Sequence, residues 1–111
     1  MREKHCFLAF CRDAPQALEK RRFLLAEHLD WVLRVHGRFR VGGPLMDDAG
    51  DFAGSVLVVE AESFDEAEAL LREDPYHRGG VWRERSLYRF VPAAGTWVGG
   101  GVLAERLKSS A

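Results

Sequence analysis

Apolar and polar positions fall into six blocks along this chain, and the spacing changes from block to block. Residues 5–11 are apolar at both alternating sets of positions, which predicts a central strand covered on each side. Asp13, Pro15 and Gln16 follow as a helix start, with Asp13 as cap, Pro15 in the first turn and Gln16 three residues on, as in a capping box. A long helix is expected over 14–35, stopped by Gly37. Leu18, Leu25, Leu29 and Val32 form its apolar stripe at three- and four-residue steps. His28 lies within that stripe, and Arg21, seven residues earlier, points the same way.

A second strand is predicted over 38–43, with Phe39 and Val41 on one face and Arg38 and Arg40 on the other. Gly42-Gly43-Pro44 should end it, and a turn-rich stretch over 45–53 leads into a β-branched strand over 55–61. The two strands should form a hairpin. Ser63 with Glu66 is a capping box for a shorter helix whose inner face carries Ala67, Leu70 and Leu71. Pro75 disfavours helical geometry in Asp74, so this helix must end near Asp74. A loop or broken turn over 75–80 and a last strand over 82–91 complete the core domain, 1–92. Residues 93–111 read as a tail or arm whose Trp97, Val98, Val102 and Leu103 need something to pack on.

The order is βαββαβ, the split βαβ arrangement of α+β, ferredoxin-like folds: a four-stranded antiparallel sheet with two helices on one face. The first and third strands are apolar on both faces, so the uncovered face is expected to pack against a second copy. This predicts a homodimer with its sheets face to face.

Composition narrows the function classes. One domain of 111 residues with net charge −1 and interspersed charges has no nucleic-acid patch and no membrane-surface helix. No apolar run reaches the length of a membrane span. The first five residues lack the apolar stretch of a signal peptide, so a cytoplasmic address is the expectation. Cys6 and Cys11 are an odd number of residues apart on one strand, hence on opposite faces, and are expected to be free.

Several residues carry chemical potential. Asp74 closes the second helix on the same side of the sheet as His28. A carboxylate accepting from one imidazole nitrogen fixes the tautomer and leaves the other nitrogen as a base. Asp13 is either the cap or a group at the pocket mouth. Gly43 and Pro44 are a turn or a pocket wall. Ser55 either donates to a substrate oxygen or merely starts its strand. Tyr76 and Trp31 can stack on an aromatic ligand or pack. Asp47, Asp48 and Asp51 lack the ligand series of a calcium loop and read as a solvated turn. No metal site, phosphate loop or nucleotide fingerprint is present, and no cofactor is expected.

The ordered set Asp13, Leu18-Glu19-Lys20-Arg21, His28-Leu29, Gly43-Pro44-Leu45, Gly54-Ser55, Asp74-Pro75-Tyr76 and Gly79-Gly80-Val81 resembles the YciI-like (YCII-related) proteins of the dimeric α+β barrel superfamily. That resemblance covers most of 5–92. It implies a dimer of ferredoxin-like protomers and an active site built on His28 and Asp74. It also implies activities such as dehydrochlorination of a chlorinated hydroxyquinol, with isomerases and small monooxygenases in the wider superfamily. Relatives often carry a second Arg three residues before the helix His, where this chain has Leu25. The combined expectation is a lyase or isomerase without a cofactor, acting on a small cyclic or aromatic molecule. His28 and Asp74 would be catalytic, and Arg21, Gly43, Pro44, Ser55, Asp13 and Tyr76 would shape the substrate pocket. The alternative is a non-catalytic ligand-binding or dimeric assembly module.

Overall fold

A computed structural model of the chain describes residues 4–109. Residues 1–3, which open the expected core domain, and 110–111, which end the arm, lie outside the described residues.

Four strands form one antiparallel sheet: β1 (His5–Asp13), β2 (Phe39–Met46), β3 (Phe52–Ala61) and β4 (Trp82–Phe90), in the order β2-β3-β1-β4. Helices α1 (Ala17–Arg34) and α2 (Phe64–Arg72) cover one face. This is the ferredoxin-like fold expected from the order of elements. Alternation sets the two faces. Phe7, Ala9 and Cys11 of β1 and Leu57, Val59 and Ala61 of β3 are buried beneath the helices. Cys6, Leu8 and Phe10 lie on the opposite face, in register with Tyr88 and Phe90 of β4 and with Val56 and Val58 of β3. Cys6 and Cys11 are free.

Besides a register shift that puts Phe39 and Val41 on opposite faces of the sheet instead of the same one, the structure corrects the sequence expectation in four places. First, α1 begins at Ala17, and Asp13 does not cap it. Gln16 takes the cap position in a left-handed conformation (φ 61°) with no side-chain cap, while Ala14 N–H donates to Val81 O (2.8 Å). That bond and the use of the Asp13 carboxylate elsewhere keep Pro15 out of the helix. Second, β2 runs through Gly42-Gly43-Pro44 to Met46 instead of stopping there. It is an edge strand, where a proline's missing N–H is tolerated.

Third, residues 75–78, expected as a loop or broken turn, form a one-turn helix, α3 (Pro75–Arg78), with Pro75 at its first position. Fourth, the row of α1 facing the sheet is Ala17, Arg21, Leu24, His28 and Trp31, one residue off the stripe read from the sequence, of which Val32 also packs against the core. Leu25 and Leu29 are 47% and 54% exposed, because a cavity and not the sheet lies beside them. Trp31 is fully buried, edge-on to Phe39, so it serves packing.

The capping box of α2 is half formed. Ser63 Oγ accepts Glu66 N–H (3.1 Å), but the Glu66 carboxylate turns away to Arg38 (2.7 Å). The Asp47 turn is held by its own carboxylate, which accepts the N–H groups of Ala49 and Asp51. After β4 the chain makes a short hairpin, β5 (Ala94–Gly95) with β6 (Gly100–Gly101), and ends in α4 (Ala104–Ser109). Trp97 at the hairpin tip is 86% exposed. No helix of the described residues is long and apolar enough to cross a membrane.

Candidate active site

Local sequence explains how the central pair meets. Asp74 precedes a proline and is therefore extended (φ −63°, ψ 124°), which makes it the cap of α3. Its Oδ1 accepts Tyr76 N–H (2.9 Å) and lies 2.8 Å from His28 Nδ1. An oxygen already accepting an N–H in an ionised carboxylate accepts again, so the proton of a neutral His28 ring sits on Nδ1 and the lone pair on Nε2. Asp74 is fully buried, and its Oδ2 has no hydrogen-bond partner among the described residues.

Tyr76 holds the other side of the imidazole. The two rings stack in parallel, with centroids 3.9 Å apart and planes 4° apart. Burial pushes the Tyr76 hydroxyl above its ordinary pKa and keeps it a donor, to Arg21 O (3.2 Å). Carboxylate at one edge and phenol on one face leave His28 little rotational freedom. No described residue hydrogen-bonds Nε2.

Arg21 forms the second polar cluster. Its Nε and Nη2 bind both oxygens of Asp13 (2.9 and 2.8 Å), and Nη2 also reaches Gly54 O (2.7 Å) and Ser55 Oγ (2.9 Å). Both partners of this ion pair are almost wholly buried. Asp13 therefore neutralises Arg21 and ties α1 to the end of β1. Ser55 Oγ also accepts Trp82 Nε1–H (3.3 Å).

His28, Arg21, Gly43, Pro44, Ser55 and Tyr76 line one open pocket of about 400 Å³ between α1 and the β2–β3 hairpin. Its walls are apolar, from Leu25, Leu29 and Val32 on one side and Phe39, Phe52 and Leu57 on the other. The volume is that of a small-molecule site, and so is the mix of apolar wall with few polar groups. Of the residues singled out in the sequence, Asp74 stands behind His28, and Asp13 stands behind Arg21 without lining the pocket. The leucine row, Phe52 and Trp82 were not foreseen at the site, whereas Arg22, an alternative to the Arg that Leu25 replaces, does line the pocket. For the leucines the signal was present and misassigned to the core.

Fold and site together define an α+β protein of ferredoxin-like topology with a buried His–Asp pair opening on an apolar pocket. The YCII-related domain pattern matches residues 6–91, and the chain belongs to that family. It is 32% identical over 92 residues to Protein YciI of Escherichia coli, covering 76% of this chain and 94% of that one. Among solved structures it is similar to 5-chloro-2-hydroxyhydroquinone dehydrochlorinase (TftG) from Burkholderia phenoliruptrix AC1100, described in complex with 2,5-dihydroxybenzoquinone. That likeness has 30% identity and a TM-score of 0.70, covering 82% of this chain and 96% of that one. A NIPSNAP family protein from Agrobacterium tumefaciens shares the fold alone, at 12% identity and a TM-score of 0.52 over 88% and 93% of the two chains.

Proposed function

We propose that this chain is a lyase- or isomerase-type enzyme of the dehydrochlorinase kind, in which His28 acts as the general base on a small cyclic or aromatic substrate without a cofactor. The observation that carries this reading is the pinned imidazole: Nδ1 held by buried Asp74, one face held by Tyr76, and Nε2 without a hydrogen-bond partner among the described residues, in the pocket His28 lines. The likeness to TftG supports the substrate class.

For a halogenated hydroxyquinol the step balances without an external oxidant. A ring hydroxyl gives its proton to Nε2, and its electron pair becomes a carbonyl. The carbon bearing the halogen takes up that proton. Loss of halide with its bonding pair, and of a second hydroxyl proton, leaves a hydroxyquinone, so the net loss is HX. Asp74 fixes the tautomer and faces the positive charge the ring takes up on the way.

The pocket is open on one side, and the sheet face away from the helices shows Leu8, Phe10, Val41, Tyr88 and Phe90 to solvent or only half covers them. A homodimer through this face is part of the proposal, supported by that apolar surface. Residues 93–111 would then be an appendage to the core domain 1–92, since the family match ends at 91. A cytoplasmic location fits the two free cysteines.

The test is chloride release, with the rise of quinone absorbance, on mixing the protein with 5-chloro-2-hydroxyhydroquinone. Turnover by the wild type, lost in His28→Ala and cut at least 100-fold in Asp74→Asn, is the expected result. A folded wild type that neither turns over nor binds halogenated or free hydroxyquinols would overturn the enzymatic reading and leave a binding or assembly module.

A further inference from the structure

We propose that Ser55 donates its hydroxyl proton to a ligand oxygen, so that the pocket selects ring compounds whose deprotonation by His28 places negative charge on a conjugated carbonyl or phenolate oxygen. The inference rests on the reading of His28 as a base and adds the second polar contact the substrate must make.

A count of protons and lone pairs leads there. A serine hydroxyl has one proton and two lone pairs. Ser55 Oγ receives two N–H donors, Arg21 Nη2 at 2.9 Å and Trp82 Nε1 at 3.3 Å. Neither of those groups can accept a proton in return, because guanidinium and indole N–H are donors only. Nη2 shares its two protons among Asp13, Gly54 O and Ser55 Oγ, yet both contacts at Oγ bring protons to it, so the O–H has to point elsewhere. No described residue accepts it. Ser55 is 4% exposed, and a buried donor without an acceptor is costly. It lines the pocket, so an acceptor can reach it from there.

The neighbours sharpen this role. Arg21 is neutralised by Asp13 and already bonded to Gly54 O, so its charge is committed to the protein. It acts through the hydroxyl instead: a guanidinium donating to Oγ polarises the O–H and makes it a stronger donor. The pocket then offers a proton acceptor, His28 Nε2, and a buried proton donor, Ser55 Oγ, between apolar walls suited to a ring, with the exposed Arg22 guanidinium as a further donor in its lining. A ligand proton moves to Nε2, the electron pair left behind spreads through the ring to the oxygen facing Ser55, and reprotonation reverses the flow. Charge developing on that oxygen strengthens the Ser55 bond, as a preorganised donor does for an oxyanion.

The probe is 2,5-dihydroxybenzoquinone, titrated into wild type, His28→Ala, Ser55→Ala and Ser55→Thr, each checked for folding by urea unfolding. Loss of a hydrogen bond to a charged oxygen predicts about 10- to 100-fold weaker binding by Ser55→Ala, with most of the affinity restored in Ser55→Thr. Infrared difference spectra of the wild-type complex give a second reading that needs no variant. One quinone carbonyl stretch should move below its value in an aprotic solvent. Equal affinity of Ser55→Ala and wild type, with His28→Ala impaired, overturns this inference and leaves the proposed function standing. Unshifted carbonyl stretches in the wild-type complex also overturn it. No binding by the wild type defeats both.

Discussion

Replacing Arg21 by methionine removes the cation at the centre of the cluster that joins α1, β1 and β3. Methionine has a similar apolar stem, so the loss is chiefly polar. Four polar contacts disappear, two to Asp13 and one each to Gly54 O and Ser55 Oγ, the three at Nη2 sharing its two protons. The Asp13 side chain is only 9% exposed and is left as a buried carboxylate without its counter-ion. Removing one partner of a buried pair costs roughly 3–5 kcal/mol. A domain of this size holds about 5–15 kcal/mol in total, so Arg21→Met should remove about a fifth of it or more. Urea unfolding at pH 7 and 25 °C measures this directly. Lysine should not rescue, since it lacks the planar fork that meets both Asp13 oxygens. Adding Asp13→Ala to Arg21→Met removes the stranded charge, so the double variant should lose clearly less than the sum of the two single losses. A loss below about 1 kcal/mol in Arg21→Met, or strict additivity in the cycle, would refute the reasoning.

Other outcomes follow from the same coordinates. A Cβ at Gly54 would lie 2.1 Å from Cys11 O in the neighbouring strand, whereas one at Gly43 would meet nothing within 4 Å. Gly54→Ala should therefore cost about 1–3 kcal/mol or more, and Gly43→Ala should stay within about 1 kcal/mol of wild type, both by urea unfolding. Acid should weaken the fold in two stages. Burial holds His77 below its ordinary value of 6.5, and the hydrogen bond from Arg85 holds Glu68 below its ordinary 4.5. Both native pKa values are depressed, so the unfolded chain binds protons first and stability falls as pH drops through 6.5 and again below 4.5. His77→Gln should flatten the upper stage in urea midpoints taken from pH 7.5 to 5.5, and a midpoint that rises on acidification would contradict the assignment. Burial pushes the Cys11 thiol up to about 12, so a Cys6→Ser chain should not react with a disulfide reagent at pH 8 until unfolded. Reaction of the native chain within minutes would place Cys11 elsewhere.

The element order was legible because each strand and helix carries its own period, and the antiparallel ferredoxin-like sheet follows from that order. Residues where side chains serve the site broke the pattern. On α1 the sheet-facing row contains Arg21 and His28, so it scores as less apolar than the neighbouring row of leucines. That neighbouring row is apolar because it walls a pocket, and sequence period alone does not separate a pocket wall from a core face. Asp13 carries a cap signature, yet a buried guanidinium eight residues on binds its carboxylate more strongly than helix N–H groups would. Pro44 read as a strand end because proline breaks interior strands, a rule relaxed on the edge strand where it lies. The meeting of His28 with Asp74 was legible as a possibility from the Asp-Pro pair. The stacking of Tyr76 on His28 was not, since it depends on the one-turn helix α3 bringing the phenol over the ring.

The most direct measurement on the base itself is a long-range proton–nitrogen NMR correlation of the His28 ring in its neutral form, recorded with and without 2,5-dihydroxybenzoquinone. A protonated Nδ1, an unprotonated Nε2, and a ligand-induced shift centred on Nε2 are the expected result. A proton on Nε2 in the free protein, or an Nε2 signal indifferent to the quinone, would contradict the assignment of His28 as the base.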